Sequence, residues 1–167
     1  MNWLWSRWRA LVRWYYTRRV RRTCASCRGL VRANYRTVLT PQTHLGHNVH
    51  FNGLYIQGRG KVVIGDNFHS GEECRIITDI HNYQGESLPY DNTYVVKDVT
   101  IADNVWIGTR VMILGGVEIG EGAIIQAGSV VVSDIPPLAI AGGHPARVFA
   151  HRDHEHYERL KQASRFH

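Results

Sequence analysis

The sequence predicts an all-β fold, a parallel β-helix of hexapeptide repeats with a helical arm before it and a helix after it. The first observation is an aliphatic residue at every sixth position: Ile101, Ile107, Ile113, Ile119, Ile125 and Val131. The second is a small residue after several of them, and the third is the same spacing upstream at Leu39, Leu45 and Phe51. A helix repeats its apolar face every 3.6 residues and a strand every 2. A period of six therefore indicates very short strands stacked as a prism, whereas a β-sandwich would show period-two alternation with spaced turns.

Two further positions of the repeat support the prism, which we assign to residues 37–149. Ala102, Gly108 and Gly120 follow the aliphatic position, where a crowded corner favours small side chains. The fifth position is small or β-branched and forms a second core column, comprising Val105, Val111, Val117, Ala123, Ser129 and Ile135. The repeat slips by one residue before Ile64 and continues to Ile76.

Two segments lie outside the repeat. Residues 77–96 contain Gly, Pro and Asn but no hexad, and are predicted to be a loop that leaves the prism. Long loops on rigid scaffolds are frequent positions for functional residues. Residues 150–167 follow the last coil and are predicted to form a C-terminal helix that covers or leaves the open end.

The arm, residues 1–36, is strongly basic, with ten arginines and no Asp or Glu, whereas the remaining chain has an excess of acidic residues. Its apolar residues have helical spacing: Leu4, Trp5, Trp8, Leu11, Val12 and Tyr15. Residues 1–22 thus resemble an amphipathic helix that lies on an anionic membrane surface. A cap over the first coil and a docking helix for a partner enzyme remain alternatives. Nucleic-acid binding is not expected, since no known motif accompanies the basic residues.

The remaining composition predicts a cytoplasmic protein without a metal, and the basic arm predicts a peripheral position on the cytoplasmic face of the inner membrane. No apolar run is long enough to span a bilayer, and no signal-peptide pattern begins the sequence. Cys24 and Cys27 form a lone C-x-x-C without a second ligand pair, so plain thiols are expected. His44, His47 and His50 are three residues apart, a spacing that does not stack side chains on one face of a triangular prism.

Several motifs are recognisable beyond the period, namely "NVWIG", "GAIIQAGSVV", "DIPP" and "GGHPARV". Through them the chain, from about residue 39 to 149, resembles the left-handed β-helix acyltransferases of the galactoside, maltose and serine acetyltransferase superfamily. The tail "HYERLKQASRFH" is similar to that of bacterial O-acetyltransferases of surface polysaccharides. The resemblance implies an obligate homotrimer with acetyl-CoA in the grooves between subunits and a sugar or glycan precursor as acceptor.

The resemblance also assigns the catalytic residues. It makes His81, which lies 25 residues before Trp106, the general base that removes a proton from the acceptor hydroxyl. Imidazole titrates near neutral pH, and a positioned base contributes about 10²–10⁴-fold in rate. The resemblance places the oxyanion against the backbone N–H of Thr109. Asp79, two residues before His81 in an extended segment, is predicted to orient the imidazole.

The remaining assignments concern CoA and the acceptor. The resemblance implies that Trp106 and Gly108 line the pantetheine arm and that the backbone of Ala127 faces its amides. Arg147 is expected to contact a CoA phosphate. Ser133 stands where many relatives have part of a basic pair, which leaves one phosphate contact in doubt. Asn52 lies near the position of an acceptor-binding asparagine.

Alternative functions remain open at this point. The acceptor could be an antibiotic or an amino sugar. A zinc carbonic anhydrase of the same prism class would bind metal through a histidine pair five residues apart on one coil, which residues 37–149 lack. A non-catalytic trimeric scaffold, recruited to membranes by its arm, is the third possibility.

Overall fold

The chain forms a left-handed parallel β-helix, as the repeat and the resemblance predict, with one helix at each end. The computed structural model describes residues 3–167; Met1 and Asn2 of the predicted arm and the side chain of Leu4 lie outside the described residues. Helix α1 spans Trp3–Thr23 and helix α2 spans His154–Gln162. In chain order the strands are β1 Ser26–Cys27, β2 Val31–Ala33, β3 Thr43–Leu45, β4 Val49–Phe51, β5 Leu54–Gln57, β6 Val62–Ile64, β7 His69–Ser70, β8 Cys74–Ile77, β9 Asp79–His81, β10 Tyr94–Val96, β11 Val99–Ile101, β12 Trp106–Ile107, β13 Met112–Leu114, β14 Glu118–Ile119, β15 Ile124–Ile125, β16 Val130–Val131, β17 Ala139–Gly143 and β18 Ala146–His151.

Three parallel sheets form the faces of the prism. Sheet A has the order β1-β3-β6-β11-β14, sheet C the order β5-β8-β13-β16, and sheet B the order β2-β4-β7-β12-β15-β17, with β18 antiparallel at its edge. Each coil therefore visits sheet A, then B, then C. We name the turn from sheet B to sheet C the BC corner and the turn from sheet C to sheet A the CA corner.

The hexad positions stack in register and fill the interior. Ile101 pairs with Ile64 on one side and with Ile119 on the other, so identical positions of successive coils lie side by side. All six aliphatic residues between Ile101 and Val131 are at most 1% exposed. Burial of one branched side chain per strand gives the prism a continuous apolar core.

The prism begins earlier in the sequence than the predicted boundary at residue 37. Strand β1 pairs with β3, and β2 pairs with β4, so Ser26 already belongs to the first coil. Cys27 and Ala33 occupy the inward hexad positions of this coil, and Ala33 is fully buried. The boundary was wrong because neither residue is a branched aliphatic, which hides the repeat in the sequence.

Helix α1 packs only one of its faces on the prism. Tyr16 and Val20, four residues apart, pack on the core of the prism, and Val20 is fully buried, whereas Val12 is half-buried. Most of the predicted apolar stripe, namely Trp5, Trp8, Leu11 and Tyr15, is exposed instead. The predicted alternative of a cap over the first coil therefore describes the C-terminal half of α1. None of the helices in the described part of the chain has the length and apolar character that crossing a bilayer requires.

Helix α2 lies beside the later coils and is held there by polar contacts. Asp153 caps its N-terminus by accepting a hydrogen bond from the His156 N–H at 2.6 Å. The Tyr157 hydroxyl donates to Glu121 Oε1 at 2.8 Å, and Lys161 Nζ lies 2.6 Å from the same oxygen. These contacts hold α2 against the side of the prism.

Residues 77–96, predicted as a loop, contain a short antiparallel hairpin. Strands β9 and β10 pair through Asp79 with Val96 and His81 with Tyr94. The hairpin leaves the prism at the CA corner, because β8 belongs to sheet C and β11 belongs to sheet A.

Candidate active site

The BC corner places Asn52, Thr109 and Ala127 along one edge of the prism. Asn52 follows β4, Thr109 follows β12 and Ala127 follows β15, so each begins the turn from sheet B to sheet C. Thr109 and Ala127 are 18 residues apart, which is one complete coil. Equivalent positions of neighbouring coils therefore form a ladder of backbone groups along this edge.

The backbone N–H groups at one step of this ladder have no protein acceptor in the described chain, namely those of Gly53, Glu72, Thr109 and Ala127. Within residues 3–167, neither the N–H of Thr109 nor that of Ala127 donates a hydrogen bond, although both neighbours of Ala127 do. Both residues are exposed. Because they are exposed and have no protein acceptor, these two N–H groups are available to a ligand or to water.

Glycines allow the coils to stack closely beneath these groups. A Cβ atom at Gly108 would lie 2.5 Å from the Ala127 nitrogen, and one at Gly71 would lie 2.4 Å from the Thr109 nitrogen. Any side chain at either position would collide with backbone. Gly108, which was predicted to line the CoA arm, has no side chain and therefore allows the backbone of the next coil to approach closely.

Asn52 is held in place by its neighbours on the same corner. Its Nδ2 donates to the Ser70 carbonyl at 2.9 Å, and its Oδ1 accepts from Asn34 Nδ2 at 2.8 Å. An amide has two donors and an acceptor with two lone pairs, so each end of Asn52 retains capacity for a ligand.

Helix α1 and the BC corner together enclose a groove of about 920 Å³. Asn52, Glu72 and Thr109 lie on the prism side, and Trp5, Trp8 and Arg9 lie on the helix side. The volume falls within the range of small-molecule pockets, roughly 300–1,000 Å³. The groove therefore contains the predicted oxyanion donor and the predicted acceptor-binding asparagine together.

His81 lies in an aromatic cluster on the hairpin. Its ring stacks on Tyr90, with centroids 3.9 Å apart, and tilts against Tyr94 at 4.5 Å. The guanidinium of Arg59 covers Tyr94 at 3.8 Å from the ring centroid. The His81 residue is exposed, and its ring is restrained by the two tyrosines. A fixed orientation of this kind suits a general base that accepts a proton from a bound acceptor.

Asp79 does not contact the His81 ring. In the described chain its only ionic partner is Arg59, whose Nε lies 3.8 Å from Asp79 Oδ2, and no hydrogen bond joins it to His81. The orienting role predicted from two-residue spacing is therefore unsupported. Arg59, at the start of the neighbouring coil, forms an ion pair with the Asp79 carboxylate. Tyr90 and Tyr94 restrain the His81 imidazole instead.

A single chain does not bring His81 to the ladder. The hairpin leaves at the CA corner, and Thr109 lies at the BC corner, with sheet C between them. These two corners lie on different edges of the triangular coil.

Trp106 lies on the face of sheet B and is 53% exposed. It lines a second cavity, of about 420 Å³, together with His69, Arg152 and Lys161. This cavity lies between sheet B and α2, apart from the groove that holds Thr109. Neither Thr109 nor Ala127 lines this cavity, and the assignment of Trp106 and Ala127 to CoA remains a prediction.

Ser133 and Arg147 also lie away from the ladder. Ser133 follows β16 at the CA corner and is exposed. Arg147 is exposed on β18 at the edge of sheet B, where its Nη1 donates to the Ala146 carbonyl at 3.1 Å. Both remain predictions for CoA phosphate contacts.

The sequence analysis missed several groove and hairpin residues. Tyr90, Tyr94 and Arg59 were hidden because their contact with His81 depends on the hairpin register. Asn34 was detectable, since it precedes Asn52 by 18 residues, one coil. Among residues 3–167 no three His, Cys, Asp or Glu side chains form a group that could hold a metal ion.

Cys74 lies beneath the ladder, and its thiol is protonated at neutral pH. Its Sγ lies 3.1 Å from the Gly108 carbonyl. Burial raises the pKa of Cys74 to about 11. A thiolate is the nucleophilic form of cysteine, so this thiol is not poised to accept an acyl group.

Comparisons with known proteins agree with this architecture. Residues 98–133 match the family described as bacterial transferase hexapeptide, six repeats. The galactoside O-acetyltransferase of Escherichia coli K12 is 37% identical over 118 residues, covering 68% of this chain and 58% of that protein. The chain spans a little more than half the length of the curated relatives it matches.

Two solved structures extend the comparison to the whole prism. A galactoside acetyltransferase in complex with coenzyme A has a TM-score of 0.63 and 30% identity, covering 82% of this chain and 68% of that chain. A hexapeptide-repeat acetyltransferase of Vibrio cholerae O1 biovar eltor, complexed with acetyl coenzyme A, has a TM-score of 0.60 and 28% identity, covering 77% of this chain and 69% of that chain. With its coils, its repeats and this extent of similarity, the chain belongs to the hexapeptide-repeat acyltransferase family.

Proposed function

We propose that the protein transfers the acetyl group of acetyl-CoA to a hydroxyl of a sugar or surface-glycan precursor. The observation that carries the proposal is the exposed, unpaired N–H of Thr109 in the groove that also holds Asn52, with the unpaired N–H of Ala127 one coil away on the same corner. Pantetheine contains amide carbonyls, which accept hydrogen bonds, and an acyl transfer needs one donor at the developing oxyanion. The relatives solved with CoA or acetyl-CoA support this choice of cosubstrate.

The reaction is a direct displacement in a ternary complex. His81 accepts the proton of the acceptor hydroxyl as its oxygen attacks the thioester carbonyl. The tetrahedral oxyanion accepts a hydrogen bond from the Thr109 N–H. Collapse of this intermediate breaks the carbon–sulfur bond, and the imidazolium returns its proton to the CoA thiolate. No covalent enzyme intermediate is needed, in agreement with the protonated Cys74.

Three copies of the chain complete the site. His81 and Thr109 lie at different corners of one prism, so the base must come from the hairpin of a neighbouring copy. A homotrimer with the BC corner of one subunit facing the hairpin of the next satisfies this requirement three times. The groove between two subunits then holds CoA and acceptor together.

Helix α1 attaches this trimer to an anionic membrane surface. Its outward side exposes Trp3, Leu11 and Trp14, with Arg7 and Arg18 stacked over the first and third of these residues, respectively. The helix contains no acidic residue between Trp3 and Thr23. Tryptophans with arginines around them suit the headgroup region of a bilayer.

The test of the chemistry is His81→Ala. Acetyl-CoA turnover with a panel of sugars, nucleotide sugars and polysaccharide fragments should fall by about 10²–10⁴-fold, the value of a positioned base. Sedimentation velocity should show the same trimer for variant and wild type. His154→Ala, at an exposed histidine of α2, serves as the matched control and should retain full turnover. An active His81→Ala trimer would refute the assignment.

A further inference from the structure

Contacts with the first coil fix helix α1 beside the groove that holds Thr109. Thr17 Oγ1 accepts a hydrogen bond from the Ala33 N–H at 3.0 Å, and Val20 is 1% exposed. Closer to the groove, Arg9 Nη2 donates to the Tyr35 hydroxyl at 3.3 Å. The helix is thus a wall of the groove rather than a free arm.

Aromatic side chains of this wall face the groove while remaining open to solvent. Trp5 and Trp8 line it from the helix, and Tyr35 lines it from the prism. All three are exposed. Exposed aromatics at the mouth of a groove commonly mark a binding surface, and the flat apolar face of a pyranose ring stacks on indole.

The same wall supplies two cationic groups. Arg9 and Arg13 are one helical turn apart, so their side chains are neighbours. Arg9 uses one of its donors on Tyr35, and Arg13 has no hydrogen-bond or ion-pair partner in residues 3–167. Glu72 is the one carboxylate that lines the groove. Guanidinium groups pair with phosphate or carboxylate through two parallel hydrogen bonds.

We infer that α1 forms the acceptor subsite and that the acceptor is an anionic sugar, whose ring stacks on Trp5 and Trp8 and whose phosphate or carboxylate binds Arg9 and Arg13. The inference rests on the proposed acetyl transfer and specifies its substrate class. The subsite lies beside Asn52 and the Thr109 N–H, so an acceptor hydroxyl near these groups can reach the thioester.

The experiment compares three soluble acceptors in the absence of membranes: a hexose 1-phosphate, a hexuronate and a neutral methyl hexoside. We expect kcat/KM to be at least about tenfold higher for an anionic acceptor, because charged hydrogen bonds contribute about 1.5–3 kcal/mol and about 1.4 kcal/mol is tenfold. The two anionic arms distinguish phosphate from carboxylate. The double variant Arg9→Gln/Arg13→Gln should lower kcat/KM for the anionic acceptor by at least about tenfold more than for the neutral acceptor.

The double variant Arg19→Gln/Arg22→Gln removes the same charge from exposed positions of α1 outside this groove, and should keep the preference. Calorimetric titration of hexose 1-phosphate and hexuronate into the CoA-loaded protein gives a readout without turnover. Equal use of neutral and anionic acceptors, or anion binding that survives the loss of Arg9 and Arg13, would overturn the subsite. A different result would be anion binding that depends on Arg9 and Arg13 in a protein whose turnover does not depend on His81. That result would overturn the acetyl-transfer proposal and keep the subsite.

Discussion

The coils of the prism bury their large apolar side chains, whereas helix α1 leaves most of its large apolar side chains exposed. Along the coils the inward hexad residues from Ile101 to Val131 are essentially inaccessible, as with Ile113 at 0%. On α1, Trp3 is 65% exposed, Leu11 is 64% exposed and, among the side chains that the structure describes, only Val20 is fully buried. Apolar residues of the coils hold the fold, whereas those of α1 are presented to something outside it. Mutations in the two regions should therefore affect different properties.

The largest expected effect is on the free energy of unfolding, which a core substitution should lower far more than a substitution on α1. Ile113 lies between Ile76 and Val131 in sheet C, and its replacement by alanine removes buried contacts and leaves a cavity. We expect Ile113→Ala to lower the free energy of unfolding by about 2–5 kcal/mol. Leu11→Ala, on the exposed side of α1, should change it by less than about 0.5 kcal/mol.

Urea denaturation followed by circular dichroism measures both changes. Protein concentration must be the same in all samples, because assembly contributes to apparent stability. A loss of stability in Leu11→Ala as large as in Ile113→Ala would show that α1 is part of the core. The proposed difference between the coils and α1 would then be wrong.

The next effect is on membrane binding. Wild-type protein should float with phosphatidylcholine vesicles that contain phosphatidylserine, float less with phosphatidylcholine alone, and detach at high salt, since screening weakens surface electrostatics. The double variant Leu11→Ser/Trp14→Ala should remain largely at the bottom of the gradient. Phe149→Ala removes an aromatic residue of similar exposure from β18 and is the matched control. Flotation of the double variant at the wild-type level would contradict membrane attachment through α1.

The sequence predicted the coils well because their packing rule is local. Each inward position repeats after six residues, so Ile101 through Val131 could be placed in register without a structure. The first coil was missed, since Cys27 and Ala33 keep the register with atypical residues. On α1 both faces carry apolar residues, and which face is buried is decided by tertiary packing that periodicity does not show.

The candidate site was predictable only where it follows the coil. Thr109 and Ala127 lie one coil apart, and the structure places both on one corner. Contacts between separate elements were not predictable: Arg59 holds Asp79, and Trp106 faces α2 instead of the ladder. The groove wall formed by α1 depends on a long-range contact between the arm and β2, the first strand of sheet B.

The smallest expected effect concerns pH and the histidines of sheet B. His50 stacks on His69 with ring centroids 4.4 Å apart, and its Nε2 lies 3.0 Å from Asn48 Oδ1. Burial, and then the nearby His69, Arg32 and His167, lower the pKa of His50 to about 4. Burial also lowers the pKa of His69, whose Nε2 has no hydrogen-bond partner in the described chain.

An unfolded histidine has a pKa near 6.5, so above that pH His50 is neutral in both states and does not affect stability. As the pH falls from about 6.5 towards 4, the unfolded chain binds a proton that the folded chain refuses, and stability is lost. We expect His50→Gln to reduce this decline relative to wild type, and His154→Gln, in exposed α2, to leave it unchanged. Urea denaturation at pH 7 and at pH 4.5 measures the difference. The same decline in His50→Gln as in wild type would show that the stacked pair does not resist protonation. The acid sensitivity would then originate elsewhere, and the outer face of sheet B near His50 would be more hydrated than its neighbours imply.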